Sequence, residues 1–536
     1  MALTEDGAEK IDYTALQAAS VWEVLAKNGS NRAGHEAVVL GKHRLTYRDL
    51  IGQAECLAAG LYHRGLRKGD ILALLLPNWP EFVVTYFAAA RLGAVLVPLN
   101  TRYRETELEY MLRNSEAKIL ITCAEFGSYD YIGLLHKLRP QLEKLAHIVV
   151  VGQAAGATGM ISWETLRGEA APETLPPVQI EPQEDLFMLL YTSGTTGLPK
   201  GAMLTHYNIV WNSAVVAQAL EGTSQDVILG AVPLFHVFGV TCCITMAANL
   251  GAKLVLLDVY KPGEALELVQ QERITIHHGV PTMFILELNQ PTFANYDLSS
   301  LRTGIIAAAP APAEIIRRIR RDMGCEIASA YGLSETSPAL TITHFSDSDD
   351  VRAETVGRAV PGVEIRIVND DGEELSLGEV GELICRSPGL MKGYYKMPEA
   401  TRAAIDSAGW FSTGDLATLD EAGNVRIVGR KKEMINRAGF KIYPREVEEF
   451  YYRHPKVQEV AVVGLPDPVL GEKTCACIKL RDGQQATSEE MRDFVRDKLA
   501  DFKVPDLVRF VTEFPMTASG KIRKVAIKAE MAKIDS

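Results

Sequence analysis

The sequence predicts an α/β protein: a large N-terminal domain of mostly parallel sheets flanked by helices, with a β-rich subdomain, followed by a small α+β C-terminal domain. Three observations point to it. Through roughly the first 330 residues, short continuous apolar runs alternate with helix-length amphipathic segments, as expected of strands buried on both faces and joined by helices. From about Val363 the strands shorten, and Gly and Asp-Gly turns separate them. A chain of 536 residues is also too long for one compact core, so two or more domains are expected.

The elements follow in order. Ile71-Leu-Ala-Leu-Leu-Leu76 reads as a buried strand ending at Pro77-Asn78, followed by a helix to Arg91 and a strand over Ala94–Val97. The same rhythm recurs at Val227–Val232, Lys253–Leu257, Ile274–His277 and Gly304–Ala307. Asn249 and Lys253 interrupt the apolar run from Val237 to Leu257, which therefore reads as a buried helix and a buried strand. No run reaches the roughly 18 apolar residues of a membrane span. The β-rich subdomain is placed at about 350–430, with turns at Asn369–Gly372 and Glu421–Asn424. After Gly429-Arg-Lys-Lys432 comes a fresh unit: a helix over 444–453 opened by Pro444, strands Val460–Val463 and Thr474–Leu480, and a helix over Ser488–Leu499. The domains expected are 1–430 and 431–536.

Composition excludes several function classes. A net charge of -12 argues against non-specific nucleic-acid binding, which needs a basic surface to neutralise phosphates. The opening Met-Ala-Leu-Thr-Glu-Asp-Gly-Ala-Glu-Lys is acidic and lacks an apolar core, so no secretory signal is expected. The eight cysteines are scattered without a Cys-x-x-Cys, which fits a cytoplasmic protein with buried, reduced thiols. His277 and His278 are neighbours on a strand and point to opposite faces, so no zinc site is assigned.

Tyr191-Thr-Ser-Gly-Thr-Thr-Gly-Leu-Pro-Lys-Gly201 follows the apolar strand Leu186–Leu190. Small residues let the backbone approach phosphate oxygens, hydroxyls add donors, and Lys200 adds positive charge. Pro199 stands where a Walker A loop needs Gly-Lys, so a GTPase or ABC-type reading fails. A plain strand-to-helix connection is the alternative.

Four further strings accompany this loop: Ala307-Ala-Ala-Pro310, Tyr331-Gly-Leu-Ser-Glu-Thr-Ser-Pro338, Gly409-Trp-Phe-Ser-Thr-Gly-Asp415 with Gly429-Arg430, and Pro515-Met-Thr-Ala-Ser-Gly-Lys-Ile-Arg523. Together they resemble the adenylate-forming superfamily, and within it bacterial fatty-acyl- and aryl-CoA synthetases, over about Leu45 to Arg523. The resemblance implies ATP, Mg2+, CoA and a carboxylic acid as ligands, with the small domain rotating between two half-reactions. It assigns Thr192, Ser193, Gly194, Thr195, Thr196 and Lys200 to the ATP phosphates. Tyr331, Ala309 and Pro310 fall at adenine, Ser334 at the α-phosphate, Glu335 at Mg2+, and Asp415 with Arg430 at the ribose diol. An ionised carboxylate makes charge-assisted hydrogen bonds to a diol, which suits Asp at 415; a turn residue after Gly414 is the other reading. A helix N-cap is the other reading of Ser334.

Lys521 matches the lysine required for adenylation, where a cation stabilises charge developing between two anions. Lys432 falls at the hinge, and Gly439, Phe440 and Lys441 at the pantetheine tunnel, with a simple turn at Ala438-Gly439 as the alternative. His236 stands where amino-acid-activating relatives carry an Asp, so an amino-acid ammonium would lack a partner. His236 is expected near the substrate carboxylate, unless it is a capping histidine. Val240, Cys243 and Ala247 share its helix face at 3–4-residue spacing. With Ala308 and Ala330 they are candidates for the acyl pocket, although core packing predicts the same pattern. Relatives commonly carry Gly where Ala308 sits. The C-terminal string also resembles a site read by lysine acetyltransferases acting on Lys521. Stand-alone loading of an acyl carrier protein and a homodimer remain open readings.

Overall fold

The computed structural model describes residues 13–152, 159–192, 199–309, 311–496, 498–516 and 522–535. These form two compact units. The first comprises 1–353, 357–364 and 386–411, and the second 354–356, 365–385 and 412–536.

The first unit holds two large sheets. In a seven-stranded sheet, Leu186–Thr192, Val95–Pro98, Ile71–Leu75, Ile119–Cys123, His147–Val151 and Ile161–Ser162 run parallel in that order, and Lys200–Thr205 closes one edge antiparallel. A nine-stranded sheet has a parallel centre ordered Glu326–Gly332, Thr303–Ile306, Ile276–His277, Val227–Gly230, Lys253–Leu256 and Glu36–Leu40. Ile71–Leu75 and Val95–Pro98 are buried along their whole length, which is why their sequences are apolar without alternation. The strand expected over Ile274–His277 is shorter, pairing only at Ile276 and His277.

Helix starts follow local chemistry. Thr205 caps the helix His206–Ala219 reciprocally with Asn208, and Thr46 caps Tyr47–His63 with Asp49. The two sheets are linked through the buried Asn78, just past the end of strand Ile71–Leu75. Its Nδ2 donates to the carbonyls of Gly230 (3.1 Å), Val232 (3.0 Å) and Leu257 (3.2 Å), and its Oδ1 accepts from the Leu234 N–H (2.9 Å). One side chain thus satisfies four backbone groups where two strands of the second sheet end.

The second unit has a four-stranded sheet, Glu364–Val368, Gly381–Arg386, Phe411–Leu419 and Val425–Arg430, and a five-stranded one built on the long hairpin Val457–Asp467 and Gly471–Leu480. Helices Pro444–Tyr452 and Ser488–Arg496 bury Val447, Tyr451, Met491 and Val495 against one face of the second sheet, and Lys524–Asp535 places Ile527 and Met531 in a separate core cluster with Cys475 and Cys477. No helix among the described residues is long and apolar enough to cross a membrane.

Candidate active site

In a parallel sheet all carboxyl ends lie along one edge, where α/β proteins bind ligands. Val227–Gly230, Ile276–His277, Thr303–Ile306 and Glu326–Gly332 are consecutive neighbours in the nine-stranded sheet. Their continuations carry His236, the Ala307–Ala309 stretch and Tyr331–Glu335 to the same edge.

The turn after Glu326–Gly332 is tightly built. Ser334–Thr336 forms a single 3-10 turn, and Ser334 is its first residue, so the N-cap position belongs to Leu333. The Leu333 N–H donates to Thr336 Oγ1 at 3.1 Å, and that hydroxyl lies 2.7 Å from the Pro338 carbonyl. A Cβ on Gly332 would fall 1.7 Å from the same carbonyl, so only glycine admits this return of the chain. Asn212 on the helix His206–Ala219 holds the return, donating to the Thr336 and Ala339 carbonyls (3.3 and 2.9 Å) and accepting the Ala339 N–H (3.1 Å).

This construction presents Glu335, which is 8% exposed. Its Oε1 accepts the Tyr394 hydroxyl at 2.9 Å and lies 3.4 Å from Thr192 Oγ1. Among the described residues it has no ion pair. A buried carboxylate whose partners among the described residues are hydroxyls suits a hard cation such as Mg2+, which takes one or two carboxylates together with phosphate oxygens.

Thr192 and Lys200 face each other as the last and first paired residues of two antiparallel strands. The Gly-rich string therefore closes a strand-to-strand connection, where the sequence suggested strand to helix as its plain alternative; the pairing partner of Leu186–Thr192 follows directly in the chain. The flanks are anchored to one helix, Glu105–Ser115. The Tyr191 hydroxyl donates to Asn114 Oδ1 (2.6 Å) and the Tyr110 hydroxyl to the Pro199 carbonyl (3.1 Å). Ser193, Gly194, Thr195, Thr196, Pro310 and Lys521 lie outside the described residues.

His236 caps the turn Val237–Gly239, its Nδ1 accepting the Phe238 N–H at 3.2 Å. In the neutral ring this puts the proton on Nε2. Next comes a π-helical turn, Val240–Thr245. Regular 3–4-residue spacing therefore fails to describe the face shared by His236, Val240, Cys243 and Ala247. Thr245 Oγ1 bonds the Val240 carbonyl (2.8 Å) and meets the Tyr86 hydroxyl (2.6 Å), so side chains support the wider turn. Val240 and Cys243 are fully buried, Ala308 and Ala330 half-buried, and Ala309 exposed. Ala308 has φ +69°, in the left-handed region.

In the second unit, Asp415 and Arg430 are directly opposed in adjacent strands, with Arg430 Nε 3.2 Å from the buried Asp415 carboxylate. Asp415 thus sits within a strand, past the left-handed Gly414 (φ +73°). Lys432 lies in the single turn Lys431–Glu433, and burial together with the Arg430 charge lowers its pKa. Ala438 and Gly439 (φ +51° and +89°) form a two-residue hairpin turn between Ile435–Arg437 and Phe440–Ile442. Phe440 is exposed and stacked on Phe502, ring centres 4.7 Å apart, and Lys441 is exposed on the same strand.

Sequence reasoning missed Asn78, Asn212, Tyr394 and Lys524. Lys524 is half-buried between Glu448 (2.7 Å) and Glu433 (3.3 Å); desolvation pulls its pKa down, but the two carboxylates outweigh it and hold it raised. Only its place beside the C-terminal string hinted at a role.

A family model described as AMP-binding enzyme matches residues 25–395, and one for the C-terminal domain of the same enzymes matches 446–521. Over 513 residues the chain is 38% identical to the Homo sapiens protein named medium-chain acyl-CoA ligase ACSF2, mitochondrial, covering 91% of this chain and 83% of that one. It is 34% identical over 511 residues to a long-chain-fatty-acid–CoA ligase of Bacillus subtilis (strain 168), covering 89% of each. The crystal structure of the anthranilate CoA ligase AuaEII in complex with anthranoyl-AMP superposes with a TM-score of 0.90 at 28% identity, covering 98% of this chain and 100% of that one. Matched over most of its length by that family model, and by relatives more than 30% identical, the chain belongs to the AMP-binding enzymes, in their adenylate-forming acyl-CoA synthetase branch.

Proposed function

We propose that the chain ligates a hydrophobic fatty, alicyclic or aryl acid to CoA. In the first half-reaction a carboxylate oxygen of the acid attacks the α-phosphorus of ATP, and pyrophosphate leaves. In the second, the CoA thiolate sulfur attacks the acyl carbonyl carbon, the bond to the adenylate oxygen breaks, AMP leaves, and the thiol proton passes to solvent. The observation that carries this reading is Glu335, a buried carboxylate whose partners among the described residues are hydroxyls, presented beside the strand that begins at Lys200.

Thr192 and Lys200, with Ser193, Gly194, Thr195 and Thr196 on the resemblance, hold the phosphates. Tyr331, Ala309 and Pro310 take adenine, Ser334 the α-phosphate, and Asp415 with Arg430 the ribose diol. Glu335 would hold Mg2+, which when bound neutralises phosphate charge. His236 caps its turn through Nδ1 and is assigned in addition to orienting the acid; an ammonium group on the acid would find no carboxylate at that position. Val240, Cys243, Ala308 and Ala330 shape the acyl pocket, and the names of relatives favour medium-chain, long-chain or aryl acids. Lys432 is assigned to the hinge, and Gly439, Phe440 and Lys441 to CoA. The cysteines, seven of them buried, fit a reducing compartment, and we place the enzyme in the cytoplasm.

Lys521→Ala tests the assignment. Acid-dependent ATP–pyrophosphate exchange is expected to fall by about 10²–10³-fold, the usual cost of losing one transition-state charge partner. Thioester formation from preformed acyl-adenylate should be spared, and equal loss of both half-reactions sinks the assignment. Assays of the wild-type protein with free CoA and with a holo acyl carrier protein identify the thiol acceptor.

A further inference from the structure

One short segment, 391–395, touches both halves of the phosphate end of the site. On one side it lies along the strand Lys200–Thr205: the Met203 N–H donates to the Gly393 carbonyl (3.0 Å), Lys392 N–H to Met203 (2.9 Å) and Tyr395 N–H to Gly201 (2.8 Å). On the other, the Met391 N–H donates to the Glu335 carbonyl at 2.8 Å. Between these anchors stands the buried Tyr394. Its hydroxyl donates to Glu335 Oε1 at 2.9 Å, and its ring centre is 5.0 Å from Lys200 Nζ. No ion pair within 4.0 Å joins Lys200 to Glu335 among the described residues.

A flexible lysine near a buried carboxylate ordinarily closes onto it, because the attraction strengthens as water is excluded. Such a pair would neutralise both groups before a nucleotide arrived. An aromatic ring avoids this by attracting the cation to its face while a phenol donates to the anion from its edge. A carboxylate oxygen can only accept, so in this contact the phenol is the donor.

We propose that Tyr394 is a positioning residue for the nucleotide, holding the Lys200 ammonium and the Glu335 carboxylate apart and ready. The ring keeps Lys200 available to phosphate oxygens, and the hydroxyl fixes one oxygen of Glu335 while leaving the other for a cation. The proposal rests on the nucleotide-binding reading of this site and adds to it a residue outside every motif singled out in the sequence.

Calorimetric binding of a non-hydrolysable ATP analogue, with Mg2+ and with excess EDTA, tests it. Tyr394→Phe keeps the ring and loses the hydroxyl. It is expected to bind the metal-free analogue as the wild type does and to lose about tenfold of the Mg2+-dependent gain, the scale of one hydrogen bond to a charged group. Tyr394→Leu also removes the spacer, so metal-free binding should weaken several-fold as Lys200 closes onto Glu335. Adding Glu335→Gln to Tyr394→Leu should restore metal-free binding, which a merely structural tyrosine would not do. An undiminished Mg2+ gain in Tyr394→Phe, or no recovery in the double variant, overturns the proposal. Should Tyr394→Leu fail to fold, the Tyr394→Phe result decides alone. A wild-type protein that binds no analogue overturns the nucleotide reading itself, and this proposal with it.

Discussion

Ala308 holds φ at +69°, where the Cβ of an L-residue crowds the following carbonyl. The conformation costs roughly 1–2 kcal/mol, and such strain persists where surrounding structure imposes it, often beside a ligand. Glycine, lacking a Cβ, adopts this backbone angle freely. Ala308→Gly is expected to stabilise the protein by about 0.5–1 kcal/mol, the relieved strain less the extra chain entropy of glycine. Urea unfolding measures the first effect. Removing the methyl should also shift kcat/KM toward bulkier acids across an acid panel, and an unchanged ranking would remove Ala308 from the pocket. Gly332 is the opposite case, since the Pro338 carbonyl occupies the space of any side chain. Both positions stood inside strings that the sequence offered as candidates, yet neither angle nor clearance can be read from composition.

Elements carry the next level of explanation. The helix His206–Ala219 is buried along most of its length, and Asn212 makes it a template for the turn that presents Glu335. Its amide satisfies the Thr336 carbonyl and both backbone groups of Ala339. Asn212→Leu should leave the buried Ala339 groups unpaired and cost about 2–4 kcal/mol, since each orphaned group costs about 1–3 kcal/mol. Urea unfolding would show the loss, and adenylation should fall with it because the turn loses its anchor; wild-type stability would refute the clamp. Continuous apolar strands such as Ile71–Leu75 were legible because burial on both faces dictates their residues. The π-helical turn at Val240–Thr245 was not, because it depends on Thr245 reaching back to Val240 and outward to Tyr86. Tyr394 was illegible for the same reason. It meets Glu335 across 59 residues of chain, and only the pairing of 391–395 with Lys200–Thr205 brings them together.

At the scale of the whole molecule, the long parallel sheets bury polar groups that must stay neutral or paired. His206 and His278 are fully buried in the first unit, and burial pushes both pKa values down to about 3. Asp185 opposes that shift at His206 while Lys68 adds to it, and His277 adds to it at His278. Each ring accepts a backbone N–H through Nδ1, from Val21 at His206 and from Ile305 at His278, a role that a protonated ring cannot fill. The sign follows from linkage. Both folded pKa values lie below the unfolded value of about 6.5, so between roughly pH 6.5 and 3 the unfolded chain binds protons that the native state refuses. Stability is therefore full above about pH 6.5 and declines as the pH falls, by up to about 1.4 kcal/mol per histidine per pH unit. Integrated from pH 7.5 to 5.5, the two rings should remove about 3 kcal/mol. Carboxylates held by cations add to the loss at lower pH: Glu272 is brought to about 2 by Arg44 and Lys253, and the Arg302 partnership keeps Asp226 lowered despite its burial. Urea unfolding of the first unit at pH 7.5, 6.5 and 5.5 checks this. A flat profile over that window would mean that the two histidines take up protons in the native state, and that the strands around them open to admit water.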